Sequence, residues 1–118
     1  MSWTDYRDAP APGTILARAS DVPEGGTTTL TLGAFPVLLA RGAAGLRAFV
    51  NACPHQYLPL DHKGDGLMSA DGTRLRCTNH SAGFDAGTGE GVEGLGHGCA
   101  LEAIPVVEES GEIRVAAS

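Results

Sequence analysis

Two short stretches, Cys53-Pro54-His55 and Cys77-Thr78-Asn79-His80, decide how this chain is read. Twenty-one residues, 56 to 76, lie between them. Each stretch offers one thiolate and one imidazole, as C-x-H in the first and C-x-x-H in the second. Two cysteines and two histidines make a complete four-ligand set, and such a set serves either zinc or a two-iron, two-sulfide centre. The order of the ligands separates these uses. A zinc site of the C2H2 kind groups its cysteines in one arm and its histidines in the other, about a dozen residues apart. Here each arm carries one of each, which suits an asymmetric cluster with both cysteines on one iron and both histidines on the other.

The flanks extend the pattern. Phe49-Val50-Asn51-Ala52 is an apolar strand that delivers an Asn just before Cys53, and Gly83-Phe84-Asp85 follows the second arm. Gly87-Thr88-Gly89 then turns, and a Gly-rich loop leads to Ile104-Pro105-Val106. With these flanks the sequence resembles the Rieske [2Fe–2S] family over about residues 14 to 116, most closely its small soluble ferredoxins. The resemblance implies an all-β fold, an antiparallel β-sandwich with a small inserted subdomain, residues 52–85, that holds the cluster. It implies a Rieske-type [2Fe–2S] cofactor, with Cys53 and Cys77 on the inner iron and His55 and His80 on the outer one. In the family the histidine pair lies near solvent at the tip of the domain, where it meets the partner. The resemblance further implies a one-electron carrier between a flavin-dependent reductase and a terminal oxygenase, such as a ring-hydroxylating dioxygenase. So small a chain has no room for the oxygenase's mononuclear iron domain, so it is expected to be an electron-transfer component and not catalytic alone. Two alternatives stand beside this reading. One is a small subunit or regulator of a reductase, similar to that of nitrite reductase, although members of that group often lack the ligands that are present here. The other is a zinc-stabilised interaction module with no redox role.

Neutral imidazoles give the outer iron no negative charge, which makes it easier to reduce than a Cys-ligated iron and places such centres above plant-type ferredoxins in potential. Within the family, hydrogen bonds to the sulfurs tune the potential. The high-potential members carry a Ser two residues and a Tyr four residues after the second ligand His, where this chain has Ala82 and Phe84. Those members also have an extra Cys in each loop, where Leu58 and Asn79 stand here. The resemblance therefore implies a low potential, toward roughly −150 mV. Ser81 departs from the Gly found in most members; either the backbone there tolerates a Cβ or its hydroxyl offers a hydrogen bond. Residues 90–99 correspond to the loop that covers the cluster in relatives. That loop usually contains a Pro, and here it is Gly-rich with His97, which implies a looser lid.

Composition sets the bounds. With 118 residues the chain is expected to be one domain, 1–118, long enough to bury a core without staples. Seventeen Gly, seven Pro and no long 3.6-period apolar stripe favour short strands and many turns. A net charge of −6 argues against a nucleic-acid partner. It fits a carrier docking on a basic surface, and equally fits plain solubility. No apolar run approaches a membrane span, and residues 1–7 do not read as a signal peptide, so a soluble cytoplasmic protein is expected. Three cysteines, two of them in the signature, leave no pair for a disulfide.

In chain order, residues 1–13 read as a polar, Pro-containing lead-in, with Trp3 and Tyr6 expected to pack on the body or on a neighbouring subunit. Residues 14–18 read as a strand, 21–26 as a turn, and 27–32, alternating Thr and Leu, as a half-buried strand. Residues 36–41 and 46–51 flank Gly42-Ala43-Ala44-Gly45 as a hairpin whose second strand runs into Cys53. Leu58 and Leu60 are expected beneath the first loop and residues 61–66 in an exposed excursion. Residues 67–69 and 73–76 read as a second hairpin about Ala70-Asp71-Gly72. Residues 90–99 read as a flexible stretch, and 101–108 with 112–116 as a closing hairpin about Ser110-Gly111. Three further candidates have plainer readings. His97-Gly98-Cys99 resembles a reversed C-x-H, but no further ligands are close in sequence, which favours a small buried Cys beside a solvated His. His62 lies in a polar loop. Asp61, Asp65 and Asp71 fail the spacing of a calcium loop.

Overall fold

In the computed structural model, residues 8–51, 68–69, 71–76, 83–93 and 100–116 are described. The organising strand is β3 (Phe35–Gly42), whose run Val37-Leu38-Leu39-Ala40 is buried on both faces. Val37 and Leu39 point into one core, and Leu38 and Ala40 into another. A strand covered on both sides reads as a continuous apolar run and not as an alternation, which is the pattern here. β3 pairs antiparallel with β2 (Thr27–Leu32) and with β4 (Gly45–Val50), and β4 pairs in turn with the two-residue β8 (Ala103–Ile104). The result is a four-stranded sheet in the order β2-β3-β4-β8. β4 splits its side chains in the same way, with Ala48 and Val50 in the first core and Phe49 in the second.

One face of this sheet is covered by β1 (Ile15–Arg18), β10 (Glu112–Val115) and β9 (Val106–Glu109), in the order β1-β10-β9. Because this sheet is buried on one side only, β10 alternates: Ile113 and Val115 face the core, while Arg114 and Glu112 face outward and pair at 2.6 Å. Ser110 and Gly111 join β9 to β10 with φ of 52° and 77°, the two positive-φ positions of a type I′ hairpin turn. The other face of the middle sheet carries the small sheet β5-β6-β7, built from β5 (Arg74–Arg76), β6 (Gly83–Asp85) and β7 (Gly91–Glu93). Leu75 and Phe84 bring it against Leu38 and Phe49. The fold is thus the all-β sandwich expected from the sequence, with the small sheet as a third layer.

Arg41 ties the outer two-sheet sandwich together. From β3 its Nε donates to Val22 O at 2.8 Å and its Nη2 to Ala19 O at 3.2 Å. Its Nη1 pairs with Glu108 Oε1 on β9 at 3.0 Å.

Several expectations are corrected. Gly91–Glu93, read as part of a flexible stretch, is a strand, because Val92 and its neighbours complete the ladder on β6 with Gly83 opposite Glu93 and Phe84 opposite Gly91. Residues 101–108 do not form one strand. Pro105, lacking an N–H, interrupts the ladder, so Ala103–Ile104 joins β4 while Val106–Glu109 pairs with β10. Of the second hairpin, residues 68–69 contribute a single bridge, Met68 opposite Leu75, and not a strand. Residues 19–21 form a 3-10 turn that the sequence reading passed over, closed by Arg18 N–H donating to Asp21 Oδ2 at 3.0 Å. The expectations for Trp3, Tyr6, Leu58, Leu60 and residues 61–66 fall outside the described residues.

Candidate metal centre

The four expected ligands, Cys53, His55, Cys77 and His80, lie outside the described residues, as do His62, Ser81, Ala82, His97 and Cys99. The described frame shows where the segments that carry them begin and end. At one end of the frame the β3–β4 turn meets the turn at Gly72. Ala43 N–H donates to Gly72 O at 2.8 Å, and a Cβ on Gly42 would collide with that carbonyl, so only glycine permits the approach. β4 and β5 both start at this contact and run away from it, β4 to Val50 and β5 to Arg76. β6 begins opposite Arg76 at Gly83 and returns to Asp85, opposite Arg74. β7 runs outward again, ending at Glu93 opposite Gly83. Segment 52–67 therefore departs at the finish of β4, segment 77–82 connects β5 to β6, and segment 94–99 departs at the finish of β7. Within the small sheet, Arg76, Gly83 and Glu93, the described residues that flank two of these segments, stand opposite one another. All three cysteines and all four histidines of the chain belong to these segments.

The exits are fixed by packing and by backbone bonds. Asn51, the last described residue before the first segment, is only 5% exposed, and its N–H donates to Pro36 O at 3.1 Å. Val50 N–H donates to Glu102 O at 2.9 Å, fixing the strand just before it. Phe49, wholly buried, packs against Phe84 and Leu75 and so joins the exit of the first segment to the small sheet. Beyond β6, Asp85 Oδ1 accepts the N–H groups of Gly87 at 2.7 Å and Thr88 at 3.0 Å, while its carbonyl accepts Gly89 N–H at 2.7 Å. Arg47 on β4 reaches this turn, donating from Nε to Gly87 O at 3.1 Å. Loops held at their roots by rigid strands are where a fold places its chemistry.

Among the described residues no group of three or more His, Cys, Asp or Glu is placed to hold a metal ion. Among the described residues one carboxyl is strongly perturbed, that of Asp71 beside the Gly72 turn. Hydrogen bonds from the Thr73 hydroxyl, the Ser69 hydroxyl and the Thr73 N–H hold Asp71 down at about 2. These bonds organise the turn before β5, a structural task and not a catalytic one.

The donor set fits a two-iron, two-sulfide centre, since two thiolates balance the charge of one iron and two neutral imidazoles complete the other. A family model, the Rieske [2Fe-2S] domain, matches residues 14–109. The chain belongs to the Rieske [2Fe-2S] domain family. Its cofactor is accordingly a Rieske-type [2Fe–2S] cluster, which when bound supplies one-electron transfer. A search of curated proteins gave no match. Among solved structures, the ferredoxin of carbazole 1,9a-dioxygenase from Nocardioides aromaticivorans IC177 is similar at 24% identity and a TM-score of 0.75, covering 92% of this chain and 100% of that one. The terminal oxygenase of carbazole 1,9a-dioxygenase from the same organism is 21% identical with a TM-score of 0.73, over 91% of this chain but 29% of its own. A putative nitrite reductase small subunit is 15% identical with a TM-score of 0.69, over 91% of this chain and 100% of its own. At these identities the likeness is one of fold. No helix among the described residues is long and apolar enough to cross a membrane.

Proposed function

We propose that this chain is a Rieske-type ferredoxin that accepts one electron from a flavin-dependent reductase and passes it to a terminal oxygenase. Cys53 and Cys77 hold the inner iron of its cluster, and His55 and His80 hold the outer iron. What supports the reading is the match of the Rieske [2Fe-2S] domain to residues 14–109 together with the two Cys–His pairs of the sequence. The ligand histidines would then form the electron exit, and their remaining N–H groups would couple proton binding to redox state. Coverage favours the carrier over the oxygenase, since the carbazole dioxygenase ferredoxin is spanned in full and the terminal oxygenase over 29% of its length.

The test is iron, acid-labile sulfide and zinc content on anaerobically purified protein, with an electron paramagnetic resonance spectrum after dithionite reduction. Two iron and two sulfide per chain with a reduced Rieske-type signal are expected, and a Cys77→Ser variant should lose both. One zinc with no sulfide would overturn the reading in favour of a structural metal site. The likeness in fold to a putative nitrite reductase small subunit supports a second reading, a reductase component. Reconstitution separates the two, because the carrier restores oxygenase turnover with a flavin reductase and the reductase component does not.

A further inference from the structure

We infer that the outer face of the β1-β10-β9 sheet is a self-complementary docking surface, on which two copies of this chain pair about a two-fold axis parallel to the strands. Among the described residues, the large hydrophobic side chains left in water are Ile15, 48% exposed, and Val107, 38% exposed. They belong to one cross-strand row. Ile15 stands opposite Arg114 on β10, and Arg114 stands opposite Val107 on β9. The neighbouring row is charged, with Arg18 opposite Glu112 and Glu112 opposite Glu109.

Ile113 and Val115 fill the core from β10, so Arg114, Glu112 and their cross-strand neighbours face away from it. Ile15 and Arg18 lie three positions apart, and in a regular strand such residues point to opposite faces. A bulge between Ile15 and Ala17 removes the conflict. Leu16 and Ala17 both pack on the core, while Ile15 and Arg18 are both exposed. The bulge thus places a cation and a large apolar side chain on the same outer face.

The occupant follows from the order of the charges. Across the three strands the charged row runs from the Arg18 cation on one edge to the Glu109 anion on the other. A two-fold axis along the strands turns a second copy's row end for end. Arg18 of each copy then faces Glu109 of the other, and Ile15 of each faces Val107 of the other. The two β10 strands meet at the centre, where each brings its own Arg114–Glu112 pair, closed at 2.6 Å, and not a bare charge. An axis across the strands would instead set Ile15 on Arg18 and Val107 on Glu109, apolar against charge. The face is small, since three strands of four residues span roughly 14 by 13 Å, far less than a permanent dimer buries. The pair is therefore weak and reversible. It also leaves the small sheet uncovered, because that sheet lies on the other side of the middle one.

Sedimentation velocity of the holoprotein at low ionic strength, from micromolar to millimolar concentration, reads the pairing. We expect a sedimentation coefficient that climbs with concentration toward that of a dimer. Arg18→Glu and Glu109→Arg each set like charges face to face, and the two-fold repeats the change, so each should weaken pairing by about tenfold or more. Mixing the two variants restores opposite charges at both contacts and should return the association of the parent. Both positions are exposed, and an unchanged circular dichroism spectrum confirms that each variant is folded. A coefficient independent of concentration in the parent protein would overturn the inference and leave the face to a different protein. Association that neither variant weakens would place the contact on another surface, and association that the mixture fails to restore would refute the two-fold arrangement.

Discussion

Replacing Arg41 by Met tests how the two larger sheets are joined. The substitution keeps the apolar stem and removes the guanidinium, so packing is largely retained and the polar contacts are lost. The ion pair with Glu108 contributes little, because the Glu108 side chain is 39% exposed and Arg41 20%, and water and salt screen such pairs to about 1 kcal/mol or less. The bonds to the chain ahead of β2 weigh more. Nε meets the carbonyl of Val22, a residue 2% exposed, at 2.8 Å, and hydrogen bonds with a charged partner contribute about 1.5–3 kcal/mol. The bond to Ala19 O is longer, 3.2 Å, and adds less. Arg41→Met should therefore destabilise the fold by about 3 kcal/mol, whereas Glu108→Gln, which leaves the carbonyl bonds intact, should stay under about 1 kcal/mol. Urea unfolding followed by far-ultraviolet circular dichroism measures both. Equal losses from the two variants, or a loss below about 0.5 kcal/mol for Arg41→Met, would refute the claim that the buried carbonyls and not the ion pair carry the clamp.

Three other perturbations address the rest of the molecule. Phe49→Ala opens a cavity between the middle and small sheets and should cost about 3–5 kcal/mol, read as a lower urea midpoint; a cost under about 1 kcal/mol would mean the two sheets are not joined there. The depressed carboxyl of Asp71 contributes stability that is present above the ordinary value of 3.8 and is lost as pH falls from there to about 2. Acid titration of stability should accordingly be steeper in that window for the parent protein than for Asp71→Asn, and identical curves would remove the turn from the acid response. Restoring the two missing hydroxyls, with Ala82→Ser and Phe84→Tyr, should raise the midpoint potential. One hydrogen bond of about 1 kcal/mol corresponds to roughly 40 mV for one electron, and an unchanged potential in the double variant would show that these positions do not reach the sulfurs.

Much of the frame was legible because burial writes itself into period. The two-sided burial of β3 produces an unbroken apolar run, and the Thr–Leu alternation of 27–32 marks the half-buried edge strand β2, whose bounds match the reading. What escaped was decided by partners distant in sequence. Gly91-Val92-Glu93 has no alternation long enough to announce a strand; it becomes one because β6 offers a free edge. Val106 and Ile104 look like one strand in sequence, and only the missing N–H of Pro105 between them lets each side serve a different sheet. Arg41 gave no signal at all, since its partners at residues 19, 22 and 108 are gathered by three separate elements. The expected ligands, Cys53, His55, Cys77 and His80, lie outside the described residues; their pattern stands out in sequence because metal chemistry restricts residue type and order more tightly than packing restricts residue identity.

The layer order also explains how the smallest sheet is held. Strands of three residues, as in β5, β6 and β7, bury too little to stand alone in water. Here they draw on Phe49, a residue of the middle sheet, through Leu75 and Phe84. The turn at Gly72 locks their other end to the β3–β4 turn. The segments that carry every cysteine and histidine thus spring from a platform fixed at two points, one at its base and one within its core. Where a metal is bound by ligands on two separate segments, its binding contributes folding free energy by closing the chain between them. The packed frame runs to Asn51, Arg76 and Gly83, the described residues that lie next in sequence to the two Cys–His pairs.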